Sequence, residues 1–286
     1  MAEDKKIAQL NQFVQKLLAS HADQWGTTAY VQEDMGFYGS IVPFLDLQDD
    51  QSWIDLGCGA GNLIAFVRRS SQPMIIGVDN NPYMLTLAGA RFDQAGLATD
   101  GHYPYTININ PNTFGIRIEP KIQSGYKLSR DKINLVVDDV RELTALKHYL
   151  NGDRVDLVTS VFCVAGTQGK YEPGFSQENI IALIDPSSKE SVHRMNQVNT
   201  ATRNAVFAQA PKLLKPGGHL AYIDRIHPDS TDLRLTLDIP PEMELLEART
   251  QMFEQPDKEG LTELVTQAGK ITNQARFVFY KFQYQP

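Results

Sequence analysis

Short apolar runs closed by a polar or acidic residue alternate along the chain with segments whose apolar positions recur every three or four residues, the order of an α/β protein. Trp53-Ile54-Asp55-Leu56 reads as a buried strand; after a turn of three glycines, Asn62-Leu63-Ile64-Ala65-Phe66-Val67 opens a helix. Residues 73–79 (PMIIGVD) form a second strand ending in an acid. Pro82 follows at a helix start, where its missing N–H is harmless, and that helix runs from Tyr83 to Gln94. Ile133 to Asp139 is the third strand and Val155 to Phe162 the fourth, with a helical stretch ending near Leu150 between them. The helical pattern of Asn199 to Leu214 is stopped by Lys215-Pro216-Gly217-Gly218, and His219 to Asp224 makes a fifth strand. Gly260 to Ala268 is expected as a helix, and Arg276 to Phe282 alternates as a terminal strand. Ile7, Leu10, Val14, Leu17 and Leu18 have helical spacing, so a surface helix docked by one face lies near the N-terminus.

The connections add to this frame. Between Gly96 and Ile133 lie roughly 35 residues where a few are usual. Tyr105 to Ile109 and Phe114 to Ile118 alternate around Asn110-Pro111-Asn112-Thr113, which gives an inserted β-hairpin. The expected organisation is an N-terminal helical extension or lid over residues 1–48, and one domain over 49–286 with insertions near 97–131, 165–197 and 226–254.

With 42 % hydrophobic residues in 286, the chain can bury a core without staples. Its two cysteines, Cys58 and Cys163, are too few for a disulfide framework or a cysteine-rich metal site, so no metal and a reducing cytoplasmic setting are expected. No apolar run approaches membrane-spanning length, which implies a soluble protein without a membrane partner. The net charge of −7 disfavours a dominant phosphate-binding surface, and with it nucleic acid as a partner.

In a parallel sheet, ligands sit beyond the carboxyl ends of the strands. Asp55, the glycine turn, Asp79, Asp139 and Ser160 all fall at or just past such ends. Singly, each has a plain alternative: a tight connection for the glycines, a helix cap for Asp79. A nicotinamide dinucleotide fingerprint fits less well, because Asn62 stands where the sixth-position glycine belongs and Gly61 comes one place early.

As an ensemble these residues resemble the class I S-adenosylmethionine-dependent methyltransferases. The resemblance rests on Asp55-Leu56-Gly57-Cys58-Gly59-Ala60-Gly61-Asn62 after strand one, Asp79 ending strand two, Asp139-Val140 after strand three, and Leu213-Leu214-Lys215-Pro216-Gly217-Gly218 before strand five. It spans roughly residues 50–225. It implies a doubly wound, mostly parallel sheet of seven strands in the order 3-2-1-4-5-7-6, with helices on both faces and one late antiparallel strand. It also implies S-adenosylmethionine as cofactor. Gly57, Gly59 and Gly61, with Cys58 as a small filler and Asn62 opening the helix, would let the backbone lie against the ligand and face its carboxylate with helix amides. Asp55 would favour the ammonium and sulfonium. Asp79, with Asn80 beside it, would accept the ribose hydroxyls. Asp139 and the Val140 amide would meet the adenine, and Ser160 and Val161 would line the methionine end through main-chain groups. Asp138 is then left as a solvated neighbour.

Methyl transfer from a sulfonium needs an in-line nucleophile, so positioning and water exclusion can supply most of the rate. For a hydroxyl acceptor, Asp224-Arg225-Ile226-His227 is the segment in which to seek a base, His227 first and Asp224 with it. Trp25, Tyr30, Phe37 and Tyr38 are candidates for an aromatic lid, with simple packing as the alternative. Asn81-Pro82-Tyr83 is similar to the Asn-Pro-Pro-Tyr segment of DNA amino methyltransferases, but it lacks the second proline and follows strand two instead of strand four. The expected acceptor is a small molecule offering an O, N, S or C nucleophile. A protein substrate and a non-catalytic binder of the cofactor stay open as alternatives, and oligomeric state is undetermined.

Overall fold

The computed structural model describes residues 2–101, 104–109, 116–161, 189–226, 238–254, 266–267, 270–271 and 274–286. Two helices, α1 (Ala2–Asp34) and α2 (Phe37–Leu45), precede β1 (Ser52–Leu56), α3 (Asn62–Ser70), β2 (Met74–Asp79) and α4 (Pro82–Gln94). Three short strands follow, β3 (Thr99–Gly101), β4 (Tyr105–Ile109) and β5 (Ile116–Pro120), then β6 (Ile133–Val137), α5 (Thr144–Leu150) and β7 (Val155–Val161). The remainder comprises α6 (Lys189–Leu213), β8 (Leu214–Ile226), β9 (Met243–Glu254), β10 (Thr266–Gln267), β11 (Lys270–Ile271) and β12 (Gln274–Tyr284).

The central sheet is mostly parallel and has the order β3-β6-β2-β1-β7-β8-β12-β9, with β12 antiparallel to both its neighbours. It has eight strands, so the seven-strand sheet and its order are corrected. The added edge strand is β3, which pairs Thr99 to Gly101 with Ile133 to Leu135. Polar and half-exposed, it carries no apolar pattern for a reading of periodicity to detect.

Both faces of the sheet are covered, which is why strands such as β1 and β6 are buried at every position. Alternate side chains of each strand supply two cores. Ile54, Val78, Val136, Val158 and Tyr222 meet α5 and α6 through Leu146, Val206 and Phe207. Trp53, Ile75, Leu135 and Phe279 meet α2, α3 and α4 through Phe37, Ile64 and Phe92.

The hairpin is present: β4 and β5 pair antiparallel as a separate two-stranded sheet. Its Ile107 and Ile118 pack with Tyr83 against Val14 and Leu18 of α1. Two other expectations change. Lys215-Pro216-Gly217-Gly218 is not a connection ahead of the strand but part of β8, whose pairing with β7 shifts register between Val155 and Leu157, with Gly217 at φ 79°. Of the helix expected over 260–268, Thr266–Gln267 instead pairs as a strand with Lys270–Ile271, and 260–265 and 268 lie outside the described residues. The insertion at 165–197 is described only from Lys189, within α6, and that at 226–254 contains β9. Among the described residues no helix is long and apolar enough to cross a membrane.

Candidate cofactor site

The site is built where β1, β2, β6 and β7 end side by side. The Gly57 and Cys58 amides both donate to Val78 O, at 2.7 and 2.9 Å, and so fold the turn onto the end of β2. Gly57, Gly59 and Gly61 have φ of 74°, 54° and 73°, left-handed conformations in which any side chain is strained. The space around two of them differs. A Cβ on Gly61 would lie 2.4 Å from Phe92 Cζ, whereas one on Gly59 would meet none of the described residues within 4 Å. Gly61 is therefore glycine for packing, and Gly59 leaves an open backbone face. Cys58 is buried against Gly77, a filler as expected.

Asp79 is buried at the end of β2, where its Oδ2 accepts from Gly59 N at 3.0 Å and its Oδ1 from Asn81 N at 2.8 Å. Burial outweighs these two bonds and pushes its pKa up to about 6. A carboxylate has about four acceptor positions, so this one retains capacity for further donors. Asn81 is a hub that the sequence reading did not single out for this role. Its Oδ1 accepts from Tyr83 N at 3.0 Å and caps α4, and its Nδ2 donates to Leu18 O of α1 at 3.1 Å. Asn80 is half-buried beside it.

Asp55 is buried as well, and burial, with a lesser push from the charge of Asp79, raises its pKa to about 7. Thr159 on β7 donates its hydroxyl to Asp55 Oδ1 at 2.5 Å and accepts from Trp53 Nε1 at 2.9 Å. Thr159 was missed because its partners lie more than a hundred positions away in sequence. The next residue, Ser160, is fully buried, and its Oγ has no hydrogen-bond partner among the described residues. Val161 follows at the end of β7, half-buried.

Past β6, the roles of the paired acids differ from expectation. Asp138 is buried, not solvated: it accepts from Asp139 N and Leu146 N, both at 2.9 Å, and anchors the start of α5. Burial pushes its pKa up to about 6. Asp139 is half-exposed and receives the amide and guanidinium of Arg141, Nε at 2.9 Å. Val140 is buried. Asn62 turns its side chain to α1, where Nδ2 donates to Glu33 Oε2 at 3.2 Å and Ala29 O at 3.4 Å.

Asp224 is committed elsewhere. Its Oδ2 receives Arg203 Nη2 at 2.9 Å and the Tyr222 hydroxyl at 2.8 Å, and Arg203 Nε donates to that hydroxyl at 3.0 Å. His227 and Cys163 lie outside the described residues, as does the side chain of Trp25. Phe37 packs in the core against Phe253 and Phe277. Tyr38 is buried with its hydroxyl on Gln32, and Tyr30 is exposed with the Arg91 guanidinium over its ring. Among the described residues, no group of three or more His, Cys, Asp or Glu could hold a metal ion.

No family model and no curated protein matches the sequence. Solved structures do. TrmN from Thermus thermophilus is similar at 14 % identity and a TM-score of 0.46, covering 87 % of this chain and 48 % of that one, so this chain spans about half its length. A putative RNA methyltransferase from Pyrococcus horikoshii matches at 12 % identity and a TM-score of 0.42, over 87 % and 81 % of the two chains. A complex of the Haloferax volcanii Trm112 methyltransferase activator with a putative methyltransferase matches at 13 % identity and a TM-score of 0.49, over 92 % and 96 %. The chain's own strand order and glycine turn are those of a Rossmann-like α/β fold. One of these structures is described as a putative RNA methyltransferase, and the expectation of a small-molecule acceptor with nucleic acid set aside is withdrawn. Net charge sums over the whole chain, and a local surface can depart from it.

Proposed function

We propose that the chain binds S-adenosylmethionine at the ends of β1, β2, β6 and β7 and transfers its methyl group to a nucleophile. The observation that carries this reading is Asp79: a buried carboxylate facing an open glycine backbone, with acceptor positions left over and a pKa that burial has raised to about 6. Such a group gains from a ligand that brings paired hydroxyl donors, as a ribose does. Asp55, buried nearby and raised to about 7, favours a cationic ligand group over a neutral one. The Ser160 Oγ, without a partner among the described residues, and the Gly59 face that none of them fills fit a ligand on this ledge.

When bound, the cofactor supplies an electrophilic methyl on a sulfonium. This chain's part is to position and to exclude water. The turn from Gly57 to Gly61 offers backbone in place of side chains, Asp79 orients through its carboxylate, and Asp139 is aimed by Arg141. Asp224 is held by Arg203 and Tyr222, which suits an anchor for the end of β8 better than a proton acceptor.

Calorimetric titration with S-adenosylmethionine, its demethylated product and NAD tests the reading. The expected result is saturable binding of the first two, lost in Asp79→Ala. Binding of NAD alone, or of none of the three, would refute it.

A further inference from the structure

The sequence puts two acids, Glu33 and Asp34, in the last turn of α1 with no basic residue among them, against the preference of a helix C-terminus for cations. A local rule broken in this way calls for a compensating gain elsewhere. For Glu33 that gain is at the glycine turn. Its Oε2 accepts from Asn62 Nδ2 at 3.2 Å, at the first position of α3, where an acid meets the positive end of the helix dipole. The same oxygen receives Arg91 Nη2 of α4 at 3.0 Å, with Arg91 only 17 % exposed, and Arg69 Nη2 stands 3.9 Å from the other oxygen, Oε1. Gly61, the N-cap of α3, offers no side-chain cap of its own. From below, Phe92 fills the space a Cβ on Gly61 would need. Consecutive residues of α4 thus brace the turn, Phe92 directly and Arg91 through Glu33.

The geometry points to Glu33 as a positioning residue: acting through Asn62, it fixes the glycine turn in the conformation that receives the cofactor, and so ties the docking of α1 to cofactor binding. The second tie between α1 and the site, Asn81 Nδ2 to Leu18 O, sits two residues past Asp79. The N-terminal helix therefore grips both the glycine turn and the residue that donates to the ribose-side carboxylate. This inference rests on the reading of the turn as a cofactor cradle.

The test combines hydrogen exchange on the unliganded full chain with S-adenosylmethionine titration, for Glu33→Ala, Asn62→Ala, the double variant and Glu33→Gln. Each alanine variant is expected to speed exchange over residues 57–65 by about ten-fold, the scale of one charge-assisted hydrogen bond, and the double variant by no more than either single. The dissociation constant for S-adenosylmethionine should rise by a similar factor. Exchange in α5 and β7 should stay unchanged. Glu33→Gln keeps an acceptor for Asn62 and should recover most of both effects. Unchanged exchange over 57–65 in Glu33→Ala overturns the proposal, as does faster exchange spread equally through α5 and β7, effects that multiply in the double variant, or no recovery in Glu33→Gln. The expected exchange pattern across the variants, with no S-adenosylmethionine binding by the wild type, would refute the proposed function and leave the bracing of the turn by Glu33 standing.

Discussion

Replacing Gly61 with alanine should destabilise the protein far more than the same change at Gly59, although both glycines stand in one turn with positive φ. Forcing a side chain into the left-handed region costs about 1–2 kcal/mol at either site. At Gly59 that is the whole cost, because the new methyl meets none of the described residues. At Gly61 the methyl would sit 2.4 Å from Phe92 Cζ and 3.2 Å from Ala88 Cβ, and Phe92 is fully buried and cannot swing clear. Overpacking of this kind adds about 1–3 kcal/mol, for a total of about 2–5 kcal/mol. Against a typical domain stability of about 5–15 kcal/mol, the loss is readily measured. Urea denaturation of both variants is the assay, with Gly61→Ala repeated in a Phe92→Leu background. There the Gly61→Ala penalty should shrink by about 1 kcal/mol or more, the scale of coupling between residues in contact. Equal costs at the two glycines, or the same Gly61→Ala penalty with and without Phe92, would refute the steric argument. Gly59→Ala carries the opposite signature, a modest stability loss with a marked loss of S-adenosylmethionine affinity, since its methyl enters the face left for ligand.

Three further outcomes follow from the buried acids. If the Asp79 carboxylate accepts ribose hydroxyls, affinity for S-adenosylmethionine should weaken as pH falls through about 6, and Asp79→Asn should remove that dependence; calorimetry at pH 5 and pH 8 checks it. Asp55 has a folded pKa near 7, above its unfolded value, so the native state binds the extra proton and this group's contribution to stability is lost as pH rises from about 4 to 7. Asp55→Asn should therefore gain about 2–4 kcal/mol on the wild type between pH 4 and pH 8, read from urea melts at both; no relative gain would count against the burial argument. Arg203→Met strips a cation from Asp224 and should cost about 3 kcal/mol, with partial recovery when Asp224→Asn is added; thermal melts of the single and double variants decide.

Strands β1, β2 and β6 were legible because each is buried on both faces and reads as a short, nearly continuous apolar run, whereas the polar edge strand β3 was not. The acids and glycines of the site were legible because a strand end is a local feature. What escaped was set by distant partners. Thr159 looks like an ordinary strand threonine until Trp53 and Asp55 meet it from β1, and Glu33 looks like a solvated helix acid until α3 and α4 close on it. Asp138 was misjudged because, besides the adjacent Asp139 amide, its donor is Leu146 N of α5, a short helix whose N-cap residue, Leu143, offers no side-chain cap. In β8, the Lys-Pro-Gly-Gly run carries stop signals, yet β7 still pairs with Leu214 across an irregular register.

The final strand of the described chain has a consequence for how the protein is made. β12 lies between β8 and β9, and among the described residues β9 has no other strand beside it. During synthesis, residues 243–254 thus leave the ribosome well before the segment that gives them a ladder, and the flank of β8 stays bare over the same interval. Phe277 and Phe279 complete one core, and Val278 and Phe282 the other. A chain stopped before Gln274 therefore loses the closure of both layers at once and presents two unpaired strand edges to other chains. Such a product should be captured by chaperones or aggregate, not survive as a slightly shorter protein.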